Sequence, residues 1–279
     1  TFTGSGLLRL NGATLDLRHT TEFASPLVFD SGVITGSGSV LLSGDSRWNS
    51  GSLTGTGTAT VSGRLQIENS SGYKYLSRRL VVDGALDFGS STGYYLQLNN
   101  GGALHLGATG VLRTTTSSSV IYLASGSGGI ATVSADDGAR VIAASGADLV
   151  LRSDSTGSNR IAGNFELTGA GDLVLDSGTL QTGAATVVDG TGRLRLSGSA
   201  TLNAEHALNI DSVFRFDGGV LGGSAATTIS GAFTWAGGTM AGTGSTTIAG
   251  SGTLDNTAAY KFLNRSLTVS GSLMFGNSS

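Results

Sequence analysis

Short runs in which apolar and polar residues alternate recur along the whole chain. The apolar members of each run are two positions apart, so they face the same side of a strand. Examples are Leu8 and Leu10, Leu65 and Ile67, Leu80 and Val82, Leu104 and Leu106, Leu173 and Leu175, and Leu267 and Val269. Gly, Asn, Asp or Ser closes these runs and supplies a turn. No stretch sustains the apolar stripe of a helix, so the pattern predicts an all-β chain of many short strands.

A 19-residue period relates these strands to one another. Residues 29 to 44 align with residues 48 to 63, and residues 214 to 231 align with residues 233 to 250. A repeat this short cannot bury its apolar face alone, and stacking on the next repeat provides the missing cover. The period therefore predicts a parallel β-helix, a solenoid with coils of about 19 to 20 residues. About 14 such coils, spaced like neighbouring strands, would form a rod of about 65 to 70 Å.

A longer period lies above the shorter one. Residues 48 to 91 recur without a gap as residues 235 to 278, and 19 of the 44 aligned positions are identical. We interpret residues 1–279 as one continuous β-helix, with a first long repeat at 5–191 and a truncated second repeat at 192–279. The pattern is cut in mid-repeat at both termini, which predicts an excerpt from a longer array.

Composition and charge narrow the function classes. The chain has 46 glycines and one proline, which suits frequent turns combined with backbone N–H groups free to pair between coils. A net charge of -3 with only two lysines excludes the basic footprint of a nucleic-acid-binding protein. Cysteine is absent, so no disulfide or thiolate metal site can hold the fold. No apolar run reaches the length of a membrane span, and we expect no membrane insertion within this segment.

One motif carries a family resemblance. The pattern aromatic-x-[Gly/Ser]-Gly-x-[Leu/Met]-x-Gly-Thr-Gly-x-x-Thr-[Val/Ile]-x-Gly occurs at residues 48 to 63 and 235 to 250. It resembles the repeats of large secreted bacterial surface proteins of the filamentous-haemagglutinin and autotransporter-passenger type. The resemblance implies a right-handed β-helix on the bacterial cell surface that serves as a stalk or an adhesin. The partners it implies are host or matrix glycans, or neighbouring copies of the same protein in a filament.

Four aromatic residues occupy equivalent places in the 19-residue period. They form two pairs, Phe29 with Trp48 and Phe216 with Trp235. We expect each pair to be buried and stacked between consecutive coils, because equivalent positions of a solenoid lie above one another. The alternative is an exposed aromatic platform for sugar rings.

The most basic segment of the chain occurs twice. It predicts a binding patch for an acidic glycan, because lysine and arginine recur here in a chain that is sparing with positive charge. Both copies would then lie on one side of the rod, about 45 to 50 Å apart. The alternative is a solvated strand whose long side chains cover apolar surface. The candidate binding residues are Tyr73, Lys74 and Arg78 in the first copy and Tyr260, Lys261 and Arg265 in the second.

Catalytic and metal-binding patterns are weak. Asp30 and Asp176 each precede Ser-Gly, as in an aspartic-protease signature, but Asp30 aligns with Asn49 and Ala236 and is therefore interpreted as a turn residue. We predict no enzyme activity, no cofactor and no metal site. Two other classes stay open: a carbohydrate-active β-helix lyase or hydrolase, and an ice-binding solenoid with threonine ranks. The threonines in question are Thr56, Thr58, Thr60 and Thr114 to Thr116.

Overall fold

The strands of this protein are short and numerous. The computed structural model describes residues 1–68, 72–89, 94–115, 118–124, 129–154, 160–163, 166–256 and 259–276, and these residues contain strands and no helix. The first ten strands are β1 (Leu8–Leu10), β2 (Ala13–Asp16), β3 (Thr21–Phe23), β4 (Leu27–Phe29), β5 (Gly32–Thr35), β6 (Val40–Leu42), β7 (Asp45–Trp48), β8 (Gly51–Leu53), β9 (Ala59–Val61) and β10 (Arg64–Ile67). The next ten are β11 (Lys74–Leu76), β12 (Arg79–Val82), β13 (Ala85–Phe88), β14 (Tyr94–Leu98), β15 (Ala103–Leu106), β16 (Val111–Thr114), β17 (Ser119–Leu123), β18 (Thr132–Ala135), β19 (Arg140–Ala143) and β20 (Asp148–Ser153).

The remaining strands continue in the same manner. They begin with β21 (Arg160–Gly163), β22 (Glu166–Gly169), β23 (Asp172–Leu175), β24 (Thr179–Thr182), β25 (Val187–Val188), β26 (Arg193–Leu196), β27 (Thr201–Ala204), β28 (Leu208–Ile210) and β29 (Val213–Phe216). They end with β30 (Val220–Gly222), β31 (Thr227–Ile229), β32 (Phe233–Trp235), β33 (Gly238–Met240), β34 (Ser245–Ile248), β35 (Ser251–Asp255), β36 (Lys261–Leu263), β37 (Ser266–Val269) and β38 (Ser272–Gly276).

Every third strand joins the same parallel sheet, which confirms the predicted parallel β-helix. Sheet 1 runs from β1 through β4 and β7 to β37, sheet 2 from β2 through β5 and β8 to β38, and sheet 3 from β3 through β6 and β9 to β36. In the described residues these sheets have 13, 13 and 12 strands. At about 4.8 Å between strands, a sheet of 13 strands is about 58 Å long.

The core is a thin column enclosed by the three sheets. Along most strands the inward side chains are buried and the outward ones are at least partly exposed, as in β17, where Ser119, Ile121 and Leu123 face inward. The inward positions of consecutive coils are in register, so apolar side chains of one coil pack on those of the next. The apolar side chains of each coil are therefore buried by the two neighbouring coils.

Several coils on either side of the middle of the rod keep the short period of the sequence, whereas coils in the middle are longer. Leu8 pairs with Leu27 and Leu208 with Thr227, at the spacing that the period predicts. Val111, in contrast, pairs with Arg140, so the chain between these two partners is much longer. The rod consequently has fewer coils than a uniform period predicts. The extra residues enlarge the corners between strands, because the paired strands keep their register.

The two copies of the long repeat occupy different faces of the rod. Trp48 lies on β7 of sheet 1, but its equivalent Trp235 lies on β32 of sheet 2. The offset is 25 strands, and three strands make one coil. The second copy is therefore turned by one third of a revolution and advanced by little more than eight coils, about 40 Å. The prediction that equivalent residues share one side of the rod is wrong, because the long repeat does not contain a whole number of coils.

Candidate functional site

The four repeated aromatic residues lie inside the solenoid. The rings of Phe29 and Trp48 stack with centroids 5.8 Å apart, and those of Phe216 and Trp235 with centroids 6.0 Å apart. All four side chains are buried, and each indole Nε1 donates a hydrogen bond to the carbonyl two residues further on. Burial removes these rings from contact with sugars, so the platform alternative does not apply to them. They act as parts of the core.

Arg78 is buried and binds the backbone of two earlier coils. Its side chain is 3% exposed. Nε donates to the carbonyl of Gly57 at 2.6 Å, Nη1 to that of Thr54 at 3.1 Å, and Nη2 to that of Gly38 at 2.8 Å. Gly38 belongs to the coil before that of Gly57, so one guanidinium connects three consecutive coils. Burial lowers the pKa of Arg78 from its usual value.

The second copy repeats this arrangement around Arg265. Its Nε donates to the carbonyl of Gly244 and its Nη1 to that of Ala241, while Nη2 donates to those of Ala225 and Ser245. We call each such arginine, together with the carbonyls it contacts, an arginine clamp. A Cβ added to Gly244 would lie 2.6 Å from Nη2 of Arg265, and the same holds for Gly57 and Arg78. The carbonyl oxygens of Gly38 and Ala225 in the preceding coils would lie closer still, at 2.1 and 2.0 Å from these added Cβ atoms. The last glycine of the Gly-Thr-Gly motif is thus required first by the stacked backbone and then by the guanidinium.

The two repeated lysines differ in their surroundings. Lys74 points into the solenoid and is 1% exposed, between Gly51 of β8 and Leu96 of β14. Its Nζ donates to the carbonyl of Gly72 at 3.1 Å. Burial lowers the pKa of Lys74 to about 8, and the negative charge of Glu68 acts in the opposite direction. Lys261 is only partly buried, and its Nζ is 3.3 Å from the carbonyl of Ala259.

These positions correct the predicted binding patch. Lys74, Arg78 and Arg265 are buried and cannot contact a glycan at the surface. Tyr73 and Tyr260 are exposed, at 56% and 80%. The sequence pattern was misleading because recurrence does not show where a cation points. A buried cation that binds backbone carbonyls recurs in each repeat just as a surface cation that binds a ligand does.

Carboxylates on the outside of the rod are paired with arginines of neighbouring coils. Asp87, whose side chain is 0% exposed, accepts from Nε of Arg64 at 2.5 Å and from Nε of Arg113 at 2.6 Å. Asp217 pairs with Arg195 of the preceding coil at 2.6 Å and with Arg215 of its own coil at 2.7 Å. The two pairs of Asp87 and the pair of Asp217 with Arg195 join consecutive strands of one sheet. They use charge to support stacking between coils.

The two aspartates of the protease-like signature are also in such pairs. Asp30 follows β4 of sheet 1 and contacts Arg9 and Asn49, and these hydrogen bonds, that from Arg9 first, lower the pKa of Asp30. Asp176 follows β23 of sheet 2 and accepts from Arg152 at 2.7 Å. The two carboxylates lie after strands of different sheets and share no proton. Their interpretation as turn residues agrees with this placement.

A serine, a histidine and an aspartate meet on sheet 3, which the sequence analysis did not foresee. His105 of β15 and Ser134 of β18 are neighbours across the sheet, and Nδ1 of His105 lies 2.9 Å from Oγ of Ser134. Nε2 of His105 lies 3.3 Å from Oδ2 of Asp136, whose side chain is 56% exposed. The long stretch of chain between His105 and Ser134 hides this contact in the sequence.

An open groove of about 380 Å³ crosses sheet 2 in the middle of the rod. It is lined by Tyr73, Gln97, Tyr122 and Arg152. Gln97 pairs with Tyr75 of β11 on one side and with Tyr122 on the other, and Tyr122 pairs with Arg152. We call the four lining residues, together with the adjacent Tyr75, the tyrosine groove. The stretches of chain between the paired residues differ in length from coil to coil, which explains why no sequence period indicated the groove.

Two of the threonines proposed for ice binding do not belong to an exposed rank of threonines. Thr60 lies between Leu41 and Val81 on sheet 3, and Thr114 is buried. Thr116 lies outside the described residues. A different set, Thr228, Thr247 and Thr268, is aligned across three strands of sheet 1 and preceded there by Asn209.

No group of three or more His, Cys, Asp or Glu in the described part of the chain is placed to hold a metal ion. Within the same residues there is no helix with the length and apolar character of a membrane span. Comparison with protein-family models, with curated proteins and with solved structures finds no match.

Proposed function

We propose that this chain is a rigid, non-catalytic rod segment of an extracellular bacterial surface protein, where it serves as a stalk or as part of an adhesin. The observation that carries the proposal is the unbroken stacking of coils in three parallel sheets over the described residues. Stability in such a stack is distributed over all coils, which suits a part whose task is to span distance. The likeness of the Gly-Thr-Gly repeats to bacterial surface proteins supports the location.

Two kinds of side-chain contact support rigidity. The arginine clamps tie three coils together through backbone carbonyls, and Asp87 ties Arg64 and Arg113 together on the outside. Contacts that span several coils oppose bending and sliding between neighbours. Rods assembled from backbone pairing alone would lack these cross-links.

Small-angle X-ray scattering of the purified chain tests the rod. We expect a uniform cross-section and a long axis of about 60 Å. A pair-distance distribution typical of a sphere of the same mass would contradict the proposal. The location is tested separately with antibodies to the chain on intact cells of the source organism, where surface labelling is expected and labelling only after lysis would contradict it.

A hydrolase is the second candidate, because Ser134, His105 and Asp136 have the residue types of a nucleophilic triad. Against it, Asp136 is more than half exposed, so water competes for its contact with the imidazole. The trio also has a structural explanation, since His105 and Ser134 are ordinary cross-strand partners.

Ester hydrolysis distinguishes the two candidates. We expect no turnover of p-nitrophenyl acetate above the rate that Ser134→Ala retains. Turnover that Ser134→Ala abolishes, while Ser118→Ala leaves it intact, would replace the non-catalytic proposal with the hydrolase.

A further inference from the structure

We propose that the tyrosine groove, formed by Tyr73, Tyr75, Gln97, Tyr122 and Arg152, binds a neutral saccharide chain. This inference adds a ligand to the rod proposed above and names the face of the rod that contacts it. The groove lies on described strands of sheet 2, between β11 and β20, where the coils are longest.

The shape of the groove follows from the register of the strands. Tyr75, Gln97, Tyr122 and Arg152 are consecutive members of one outward column, because Leu76, Leu98 and Leu123, each one position later, are buried. The amide of Gln97 is shorter than the phenols on either side, and this leaves a depression between two tyrosines. The column spans three strand spacings, about 14 Å, which suits a short stretch of linked sugar rings.

The lining has the chemistry that a sugar requires. Tyr73 is 56% exposed and its ring lies 5.8 Å from that of Tyr75, tilted by 32°. Aromatic faces pack on the C–H faces of a pyranose. The amide of Gln97 offers both donors and an acceptor to hydroxyl groups. A few polar groups among aromatic ones are the usual composition of a small-ligand site.

Charge selects a neutral ligand over an acidic one. Arg152 is the cation of the groove, and its guanidinium is already paired with Asp176, at 2.7 Å from both Nε and Nη2. Lys74, the nearest residue along β11 with a positive charge, points into the core and is 1% exposed. An ion pair at the end of the groove presents donors and acceptors to hydroxyl groups without a net charge. A carboxylated or sulfated sugar would gain little from Arg152, because Asp176 already neutralises this guanidinium.

The second copy of the long repeat provides an internal control. Tyr260 and Phe262 repeat the ring pair of Tyr73 and Tyr75, with centroids 6.0 Å apart and a tilt of 34°. They lie on sheet 3 at β36, and no described strand pairs with β36 on the side that faces away from β33. The ring pair is thus present without the rest of the column. Binding that needs the whole groove should not occur there.

Affinity electrophoresis of the full chain tests the proposal. The gels contain a soluble β-glucan, a galactomannan, a xyloglucan or, as the acidic probe, polygalacturonate. We expect at least one neutral polymer to retard the protein, with the same retardation from about 0.05 M to about 0.5 M NaCl. The double variant Tyr73→Ala/Tyr122→Ala should weaken this binding at least about tenfold, and Gln97→Leu should weaken it by a smaller factor.

The matched control is Tyr260→Ala, which removes the equivalent exposed ring of the second copy and should bind like the parent. We expect each variant to fold, because all these side chains face outward, and unfolding curves check this. The proposal is overturned if no neutral polymer retards the chain, if the double variant binds like the parent, or if only polygalacturonate binds and salt abolishes it. These failures leave the scattering test of the rod unaffected.

Discussion

Residues 72–89 and 259–276 are two copies of one sequence segment in unequal surroundings. Arg78 and Arg265 form the same clamp, because both reach backward to carbonyls of the preceding coils. Lys74 and Lys261 differ, because a lysine at this position is covered by the strand that follows it: β14 covers Lys74, whereas β36 is the last strand of its sheet in the structure. A repeated residue keeps the same environment in both copies if its partners lie in the preceding coils. It loses that environment in the second copy if it needs the strand that follows.

The largest expected effect concerns the stacked rings, which should be equivalent in the two copies. Trp48→Ala and Trp235→Ala should each lower the free energy of unfolding by about 3 to 5 kcal/mol, because each opens a cavity beside a buried phenylalanine. Urea unfolding followed by circular dichroism measures this. Losses under about 1 kcal/mol for either variant would mean that the ring is not part of a packed core.

The arginine clamps should show a smaller loss and a difference between the copies. Arg78→Met should cost about 2 to 4 kcal/mol, because it leaves the carbonyls of Gly57, Thr54 and Gly38 without their donor. Arg265→Met should cost less, since Arg265 lies in the last coil and water reaches its carbonyls more easily. Both variants are compared with Arg79→Met, an exposed neighbour that should change stability by under about 0.5 kcal/mol. Equal effects of Arg78→Met and Arg79→Met would refute the clamp.

The smallest expected change in stability distinguishes the two lysines, and for Lys74 it is a gain in stability and not a loss. Lys74→Met should stabilise the protein by about 2 to 3 kcal/mol at pH 7, because the charged amine is buried and its pKa is lowered to about 8. Lys261→Met should change stability by under about 0.5 kcal/mol, because its side chain remains partly hydrated.

The pH dependence provides an independent check on Lys74. Between about pH 8 and the usual lysine pKa of 10.5, the unfolded chain holds a proton that folded Lys74 has released. The free energy of unfolding should therefore rise with pH across this window, and below about pH 8 this contribution should be constant. The difference between the parent and Lys74→Met isolates this group from other titrations. A difference that stays constant from pH 7 to pH 10.5 would contradict a buried amine.

The residues of the candidate groove show where sequence analysis reached its limit. The short period correctly predicted the position of Phe29 over Trp48, because coils of equal length place equivalent residues above one another. No period connects Tyr75, Gln97, Tyr122 and Arg152, since the coils between them have unequal lengths. The corners absorb these extra residues while the strands keep their pairing. Only the register of the strands brings the four side chains into one column.

The sequence by itself determined that this chain is an all-β solenoid with a stacked aromatic core, because alternation and repetition are local properties of the chain. It could not decide which way a lysine or an arginine points, since an inward cation and an outward cation fit the same repeat. Nor could it show that the two copies face different sides of the rod. That depends on the number of strands in each long repeat, 25 rather than a multiple of three, and only the folded chain reveals this count.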